Sequence, residues 1–323
     1  MIYSQSQAIT ILNNLYQTKI PFVCFTDFFA NQIWIKPESE IDPKELRFQF
    51  PNMSGLTEKS AHSGTIHFQK QPVSYEIFVK AFNQVVNEIR LGNSYLTNLT
   101  FSTPISTNLT LDEIFERSRA RYRIKFKDDF VVFSPETFIR IEGNEIYSYP
   151  MKGTIDASLP NAEETILSDH KEMSEHITIV DLIRNDLSQI ASKVKVTKFR
   201  YIDELQTSEK KLLQVSSEIA GILDDPEDLG NNLFKLLPAG SISGAPKKQT
   251  LEIIENAESK ERNYFTGICG YFDGKVFDSG VMIRFIERSD KELYFRSGGG
   301  ITALSDPKKE YQEMIDKVYV QIS

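Results

Sequence analysis

The chain has 323 residues, of which 40% are hydrophobic, so it can bury a large core as one large domain or two ordinary ones. Its 45 acidic and 37 basic residues give a net charge of -8, which argues against a general electrostatic attraction to nucleic acid or an anionic membrane. No apolar stretch approaches the roughly 20 residues of a membrane span, and the first residues do not resemble a signal peptide, so we expect a cytoplasmic protein. Cys24 and Cys269 are too few for a disulfide framework or a thiolate metal site, and the four histidines lack zinc-type spacing.

The first half of the chain mixes predicted strands with one clear helix. Apolar residues at helical spacing after Ser74 predict a helix that ends near Gly92, and a strand should follow at about 95–101. Aromatic and β-branched residues predict further strands near 21–26, 130–133, 138–141 and 146–149.

The second half begins with a long helical pattern. We predict a helix over about 161–191, two more at 229–236 and 247–258, and strands at 266–272, 280–287 and 292–296. Asp306 should cap a last helix that has Pro307 at its first position. No repeat or linker interrupts the chain, and the segregated strands and helices predict one α+β unit.

Two predicted helices carry acidic pairs with three-residue spacing. Glu310, Glu313 and Lys317 share one stripe of the last helix, because successive helical residues turn by about 100°. Glu172 and Glu175 form the second pair. Either set can be an ordinary surface ion pair, but if the helices face each other their carboxylates can share an oxygen-preferring cation such as Mg²⁺.

Two loops could hold an anion. The segment 237–247 brings Ser241 to the start of a helix, and the triplet 298–300 offers a glycine backbone whose amides can approach a ligand closely. A loop that only caps its helix and an ordinary tight turn are the alternatives.

The sequence around two charged residues leaves two possible roles open for each of them. Arg284 lies in the strand-like run 281–286, where a buried guanidinium needs an anionic partner, either a substrate carboxylate or a structural acid. Glu136 follows Ser134 and Pro135, so it is a candidate acid or a turn residue.

Taken together and in order, these segments resemble the chorismate-binding enzymes: aminodeoxychorismate, anthranilate, isochorismate and salicylate synthases. The similarity runs over about 74–322 and is most specific at 181–187, 238–254 and 298–311. It implies an α+β fold with a large antiparallel β-sandwich core and flanking helices. It also implies a reduced N-terminal subdomain, residues 1–73, packed on a chorismate-binding catalytic domain, residues 74–323.

The resemblance assigns roles to the residues found above. Glu175 and Glu313 correspond to ligands of Mg²⁺, which holds the ring carboxylate of chorismate, and Glu172 and Glu310 lie beside them. The remaining substrate-binding positions are Gly298, Gly299, Gly300 and Lys317 at the ring carboxylate, Arg284 at the enolpyruvyl carboxylate, and Ser241 through its hydroxyl.

Lys152 is the most informative residue of the comparison. It stands in Pro-Met-Lys-Gly-Thr, where anthranilate and isochorismate synthases usually have alanine and one subgroup of aminodeoxychorismate synthases has lysine. In that subgroup the lysine amine attacks C2 of the ring as the C4 hydroxyl leaves, and ammonia then attacks C4 and expels the lysine. Glu136 corresponds to the proposed general acid. An ordinary lysine, with a pKa near 10.4, is only about one part in a thousand neutral at pH 7.4, so we expect burial or a nearby cation to favour the neutral amine.

Three positions depart from the family pattern. Leu96 stands where water-using relatives have a basic lysine and ammonia-using relatives commonly have glutamine, which argues against isochorismate or salicylate synthesis. Leu213 stands where many relatives have histidine, and Phe265 where tyrosine or tryptophan is frequent.

The activity implied is that of the synthase component of aminodeoxychorismate synthase, a transferase that aminates chorismate at C4 for para-aminobenzoate and folate synthesis. A glutamine amidotransferase partner should supply the ammonia, because no Gly-x-Cys-x-Gly nucleophile turn occurs in this chain. The alternatives are an anthranilate synthase large component, which Lys152 argues against, and a non-catalytic chorismate-binding subunit.

Overall fold

The computed structural model describes residues 2–53, 65–206 and 211–320, without the side chains of Lys171, Leu205 and Gln206. Within these residues the helices are α1 Gln5–Gln17, α2 Tyr75–Arg90, α3 Leu111–Arg117, α4 Ala162–Ser168, α5 His170–Leu187, α6 Leu229–Leu236, α7 Gly240–Ser243, α8 Lys247–Ala257 and α9 Pro307–Asp316, with a 3-10 turn at Glu38–Glu40. None of the helices in this described part is long and apolar enough to cross a membrane.

The strands form two antiparallel sheets. The first sheet contains β1 Ile2–Tyr3, β2 Phe22–Thr26, β3 Ile33–Pro37, β9 Thr137–Glu142, β10 Glu145–Ser148, β11 Met151–Asp156, β12 Ala191–Gln206, β13 Lys211–Leu223, β15 Ile268–Phe272 and β16 Val276–Val281. The second contains β4 Leu46–Gln49, β5 Phe68–Lys70, β6 Leu96–Thr107, β7 Tyr122–Phe126, β8 Phe130–Ser134, β14 Gly244–Ala245, β17 Phe285–Ser289 and β18 Glu292–Ile301. Their orders are β1-β3-β2-β15-β16-β9-β10-β13-β11, with β12 also paired to β13, and β14-β6-β18-β17-β8-β7-β4, with β5 also paired to β6.

The two sheets pack face to face through an aromatic core. Alternate residues of a strand point to opposite faces, so Phe25 on β2 enters this core, where its ring stacks on Trp34 at 5.2 Å between centroids. Phe130 and Phe285 of the second sheet complete the same cluster. Burying one such ring contributes about 1.5–3 kcal/mol to folding. The predicted sandwich is therefore confirmed.

Helices cover the outer faces of the sandwich. Phe22, which alternates with Phe25 on β2, lies in a second cluster with residues of α1 and α6. A third cluster joins α2, α8 and α9 to β6 and β18. The helix predicted after Ser74 is confirmed as α2, and the Ser74 side chain caps it by accepting a hydrogen bond from the Ile77 amide. The predicted cap of the last helix is also confirmed, because Asp306 accepts bonds from two amides of α9.

The single helix predicted over 161–191 is wrong. The chain leaves helical geometry at Asp169, which ends α4 with an extended backbone. The Asp169 carboxylate then accepts a hydrogen bond from the Glu172 amide at 3.0 Å and so caps the start of α5. One aspartate therefore divides the helical pattern in two.

The continuous strand predicted over 280–287 is also wrong. β16 ends at Val281 in the first sheet and β17 begins at Phe285 in the second, so the chain crosses between the sheets here. Arg284 makes the crossing with a φ of 51°, in the left-handed region. The glycine triplet 298–300 was expected in a loop, but it lies within β18 and pairs with 98–100 of β6.

Strands from residues 1–73 belong to both sheets. β2 pairs with β15 in the first sheet, and β4 pairs with β7 in the second. β5 pairs with β6. The division after residue 73 stays a prediction from the sequence, and the hydrogen bonds of both sheets cross it.

Candidate active site

A cavity of about 980 Å³ opens where both sheets meet α5, α7 and α9. All twelve residues singled out in the sequence line it: Glu136, Lys152, Glu172, Glu175, Ser241, Arg284, Gly298, Gly299, Gly300, Glu310, Glu313 and Lys317. The volume lies in the range typical of small-molecule sites. The fold thus brings together residues from segments almost 200 positions apart.

Lys152 reaches the cavity from an irregular edge strand. The pairing of β11 with β13 shifts register between Lys152 and Thr154, and Gly153 takes a φ of 75° that only glycine adopts freely. The bulge therefore explains why a glycine follows the lysine. The Lys152 ammonium lies 3.4 Å from Oε2 of Glu175, and about a third of its side chain is exposed.

Buried His176 fixes the face that α5 presents to the cavity. Its Nε2 lies 2.7 Å from the Ser217 hydroxyl on β13. Burial, with the charges of Arg200 and Lys152, lowers the pKa of His176 to about 4, so the ring is neutral at pH 7. Because His176 points into the core, the neighbouring Glu175 faces the cavity. Glu172 lies one turn earlier, 3.2 Å from where a Cβ on Gly153 would be.

The acidic stripe of α9 lies against the glycines of β18. Lys317 donates a 2.8 Å hydrogen bond to the Gly298 carbonyl and forms a 2.7 Å ion pair with Glu313. A Cβ added to Gly299 would lie 3.6 Å from Glu313 Oε1 and 3.7 Å from Glu310 Oε2. Two carboxylates thus converge on the backbone of Gly299, and Glu310 is 7% exposed.

Glu136 and Ser241 form a direct pair. The Ser241 hydroxyl donates a 2.7 Å hydrogen bond to Oε1 of Glu136. Burial raises the pKa of Glu136, while the Ser241 bond and the positive charges of Lys152, Arg284 and Lys317 oppose that rise. A carboxyl with a raised pKa can hold a proton for donation. The predicted substrate-binding hydroxyl therefore contacts the predicted acid.

Arg284 is partly exposed to the cavity instead of buried within a strand. Its guanidinium lies 5.5 Å from the ring of Tyr319. At the crossing between the sheets Arg284 has a φ of 51°, and its carbonyl accepts a 3.1 Å hydrogen bond from the Phe133 amide, whereas its neighbour Phe285 is buried. The guanidinium can therefore meet a carboxylate in the cavity.

Sequence reasoning did not single out several polar residues of the wall, among them Asn98 and Gln214. Asn98 and Gln214 line the cavity, while Leu96 is 7% exposed and packs beside Gly300. Asn98 follows Leu96 by two positions on β6, and this strand alternation was the available signal. Leu213, the noted departure from the family, is next to Gln214, which supplies a polar side chain here.

The four glutamates of the cavity do not form a compact group of metal ligands. Among residues 2–53, 65–206 and 211–320, no group of three or more histidine, cysteine, aspartate or glutamate side chains is close enough together to hold a metal ion. Glu175 and Glu313 instead face the ammonium groups of Lys152 and Lys317.

This chain is similar to one protein family and to several known proteins. A family described as chorismate binding enzyme matches residues 8–323. An uncharacterized PabA-like protein of Pasteurella multocida is 47% identical over 315 residues, 96% of this chain and 97% of that protein. Anthranilate synthase component 1 of Archaeoglobus fulgidus is 33% identical over 315 residues, 94% of this chain and 74% of that protein. The menaquinone-specific isochorismate synthase of Escherichia coli, at 18% identity, shares the fold with a TM-score of 0.73 over 98% of this chain and 82% of its own. The chain therefore belongs to the chorismate-binding enzyme family.

Proposed function

We propose that this protein is the synthase component of an aminodeoxychorismate synthase, which replaces the C4 hydroxyl of chorismate by an amino group. The observation that carries the proposal is the placement of Lys152 in the cavity it shares with Glu136. The charge of Lys152 acts on the Glu136 carboxyl. A nucleophilic amine and a carboxyl that holds a proton are the two groups that such a displacement needs.

The chain's own residues divide the reaction into two steps. The neutral Lys152 amine forms a bond to C2 of the ring, and the C4 hydroxyl leaves as water with the proton of Glu136. Ammonia then forms a bond to C4 and passes one proton to the Glu136 carboxylate, the bond between Lys152 and C2 breaks, and the neutral lysine amine is restored. Arg284 and Lys317, which line the same cavity, hold the carboxylates of chorismate.

We propose Mg²⁺ as the cofactor, held by Glu175 and Glu313 with Glu172 and Glu310 nearby. Magnesium usually takes one or two carboxylates and keeps several waters, so it does not need three protein ligands, and the oxygens that converge on Gly299 suit it. Bound there, it would supply positive charge for the ring carboxylate of chorismate. Glu175, which lies 3.4 Å from the Lys152 ammonium, would then bind the metal as well.

We further propose that a glutamine amidotransferase chain delivers the ammonia for para-aminobenzoate and folate synthesis. Cys24 and Cys269 are at most 2% exposed, and burial raises the pKa of both thiols, that of Cys24 to about 12. A thiolate is the nucleophile that glutamine hydrolysis requires, and neither cysteine can provide one. The nitrogen therefore comes from another chain or from ammonium in solution.

The product assay decides the proposal. Purified protein with chorismate, Mg²⁺ and ammonium should form a product with the mass of 4-amino-4-deoxychorismate, and added lyase should convert it to para-aminobenzoate. Chelation with EDTA should stop turnover, and excess Mg²⁺ should restore it. Anthranilate as the product would instead favour an anthranilate synthase large component, and the absence of any product would favour a non-catalytic chorismate-binding subunit.

Lys152→Ala tests the covalent step. We expect at least about a hundredfold loss of turnover, because direct attack by ammonia lacks the lysine route. Lys198→Ala is the matched control, since Lys198 also pairs with a glutamate on a strand, at 3.0 Å, but lies outside the cavity. Equal turnover of the two variants would remove Lys152 from the mechanism.

A further inference from the structure

The segments 181–187 and 238–247 are among the most specific parts of the family resemblance, but most of their residues have no role in the proposed reaction. They meet at one ion pair. The Lys247 ammonium lies 3.2 Å from each oxygen of Asp186, whose residue is only 8% exposed. On the same helix, the ion pair formed by Asp181 and Arg184 is exposed to solvent.

The Asp186 pair connects both ends of the loop that carries Ser241. Lys247, at the start of α8, also donates a 3.0 Å hydrogen bond to the Leu236 carbonyl at the end of α6. The Gly240 amide donates to the Asp186 carboxylate. A Cβ on Gly240 would lie only 2.7 Å from Oδ2 of Asp186, so the loop backbone rests directly on the carboxylate.

Ser241 follows Gly240 in the chain, and its hydroxyl donates to Glu136 at 2.7 Å. The contacts thus run without a break from Lys247 through Asp186, Gly240 and Ser241 to Glu136. Only the last residue of this series acts as the acid in the proposed reaction. Asp186, Gly240 and Ser241 line the cavity beside it, and Lys247 lies outside the cavity lining.

We propose that the Asp186–Lys247 ion pair is a positioning pair that holds Ser241 against Glu136 and thereby sets the position and the proton affinity of the acid. This inference rests on the proposed function for its kinetic consequence. The charged groups acting on Glu136 are Lys152, Arg284 and Lys317, and they remain when the pair is removed. Loss of the Ser241 bond removes an interaction that favours the ionised form, so the pKa of Glu136 rises further.

The kinetic test uses Asp186→Asn and Lys247→Met, with Asp181→Asn as the matched control. The two pair variants should lower kcat for ammonium-dependent turnover by at least about tenfold, and should leave KM for chorismate near its wild-type value. Because the acid works in its protonated form, the basic limb of the pH profile should move to higher pH. Asp181→Asn should match the wild type in both respects.

A double-mutant comparison separates positioning from a merely structural role. If the pair acts through Ser241, then Lys247→Met added to Ser241→Ala should cause little further change in kcat or in the pH profile. Additive effects would overturn the proposal. A wild-type pH profile in folded Lys247→Met would also overturn it. Lys247→Met keeps the Asp186 carboxylate, so it provides this test even if Asp186→Asn does not fold.

An infrared titration reads the same link without turnover. The carboxylic acid band of Glu136, identified by its loss in Glu136→Gln, should persist to higher pH in Lys247→Met than in the wild type. An unchanged titration overturns the positioning role whatever the reaction. A protein with no ammonium-dependent turnover but a shifted titration would refute the proposed function and support the pair.

Discussion

Arg262 is a buried cation that joins several parts of the fold around the active site. Its side chain is 2% exposed and bonds to Glu258 at 2.6 and 3.0 Å, to the Ile242 carbonyl at 2.8 Å and to the Asn98 carbonyl at 2.7 Å. Ile242 follows Ser241, and Asn98 lines the cavity. One guanidinium therefore joins α8, the Ser241 loop and β6.

Replacement by methionine keeps most of the side-chain volume but removes every donor. Among the residues that the structure describes, Glu258, whose side chain is 5% exposed, would keep the amide and hydroxyl of Thr100 as partners, at 2.8 and 3.0 Å. Breaking a buried ion pair in this way costs about 3–5 kcal/mol, because the remaining charge stays buried. We therefore expect Arg262→Met to lower the free energy of unfolding by about 3 kcal/mol or more.

Urea denaturation followed by circular dichroism measures this loss, provided that the slope with urea stays constant. Arg184→Met is the control, because its ion pair with Asp181 is exposed and contributes about 0–1 kcal/mol. Adding Glu258→Gln should recover part of the loss by removing the buried charge. A loss below about 1 kcal/mol for Arg262→Met would refute the reasoning, since a buried pair would then behave like a surface pair.

Three further outcomes follow from the same structure. Gly298→Ala should destabilise the fold by about 1–3 kcal/mol, because its Cβ would overlap the Leu99 carbonyl. Gly299→Ala should spare thermal stability and raise KM for chorismate, because its methyl group would occupy cavity space beside the carboxylates of Glu310 and Glu313. Equal melting temperatures of the two variants would contradict this contrast. Burial raises the pKa of Asp278, so its contribution to stability is complete below the ordinary value near 3.9 and is lost as pH rises through the raised pKa. The free energy of unfolding of Asp278→Asn, measured with urea, should therefore rise relative to that of the wild type more at pH 7 than at pH 4. An equal difference at both pH values would refute this expectation. Cys24 and Cys269 should resist a thiol reagent until urea unfolds the protein, and rapid labelling of the native protein would contradict their burial.

Local patterns were sufficient to predict several helices and their caps. Ser74 and Asp306 cap their helices as predicted, because a helix cap depends on a few adjacent residues. The spacing of Glu310 and Glu313 along one helix face is likewise a property of α-helical geometry. Motif order then singled out twelve residues, and the structure places all of them in one cavity.

The predictions that were wrong concern places where distant parts of the chain decide the local geometry. Arg284 lies in an apolar run that is typical of a strand, yet the run is cut because its two halves join different sheets. The triplet 298–300 looks like a turn, yet it becomes strand because β6 supplies a ladder of hydrogen bonds. Neither of these strand pairings can be inferred from the residues adjacent in the chain.

The sequence by itself determined the family, the periodic helices and the types of residue that line the cavity, since these depend on neighbours along the chain. Only the tertiary structure decided how those residues act on one another. Ser241 meets Glu136 across 105 positions, and Lys247 meets Asp186 across 61. Such contacts exist because packing of the sandwich and its helices closes long loops, and their geometry sets the charge and hydrogen bonding of the site.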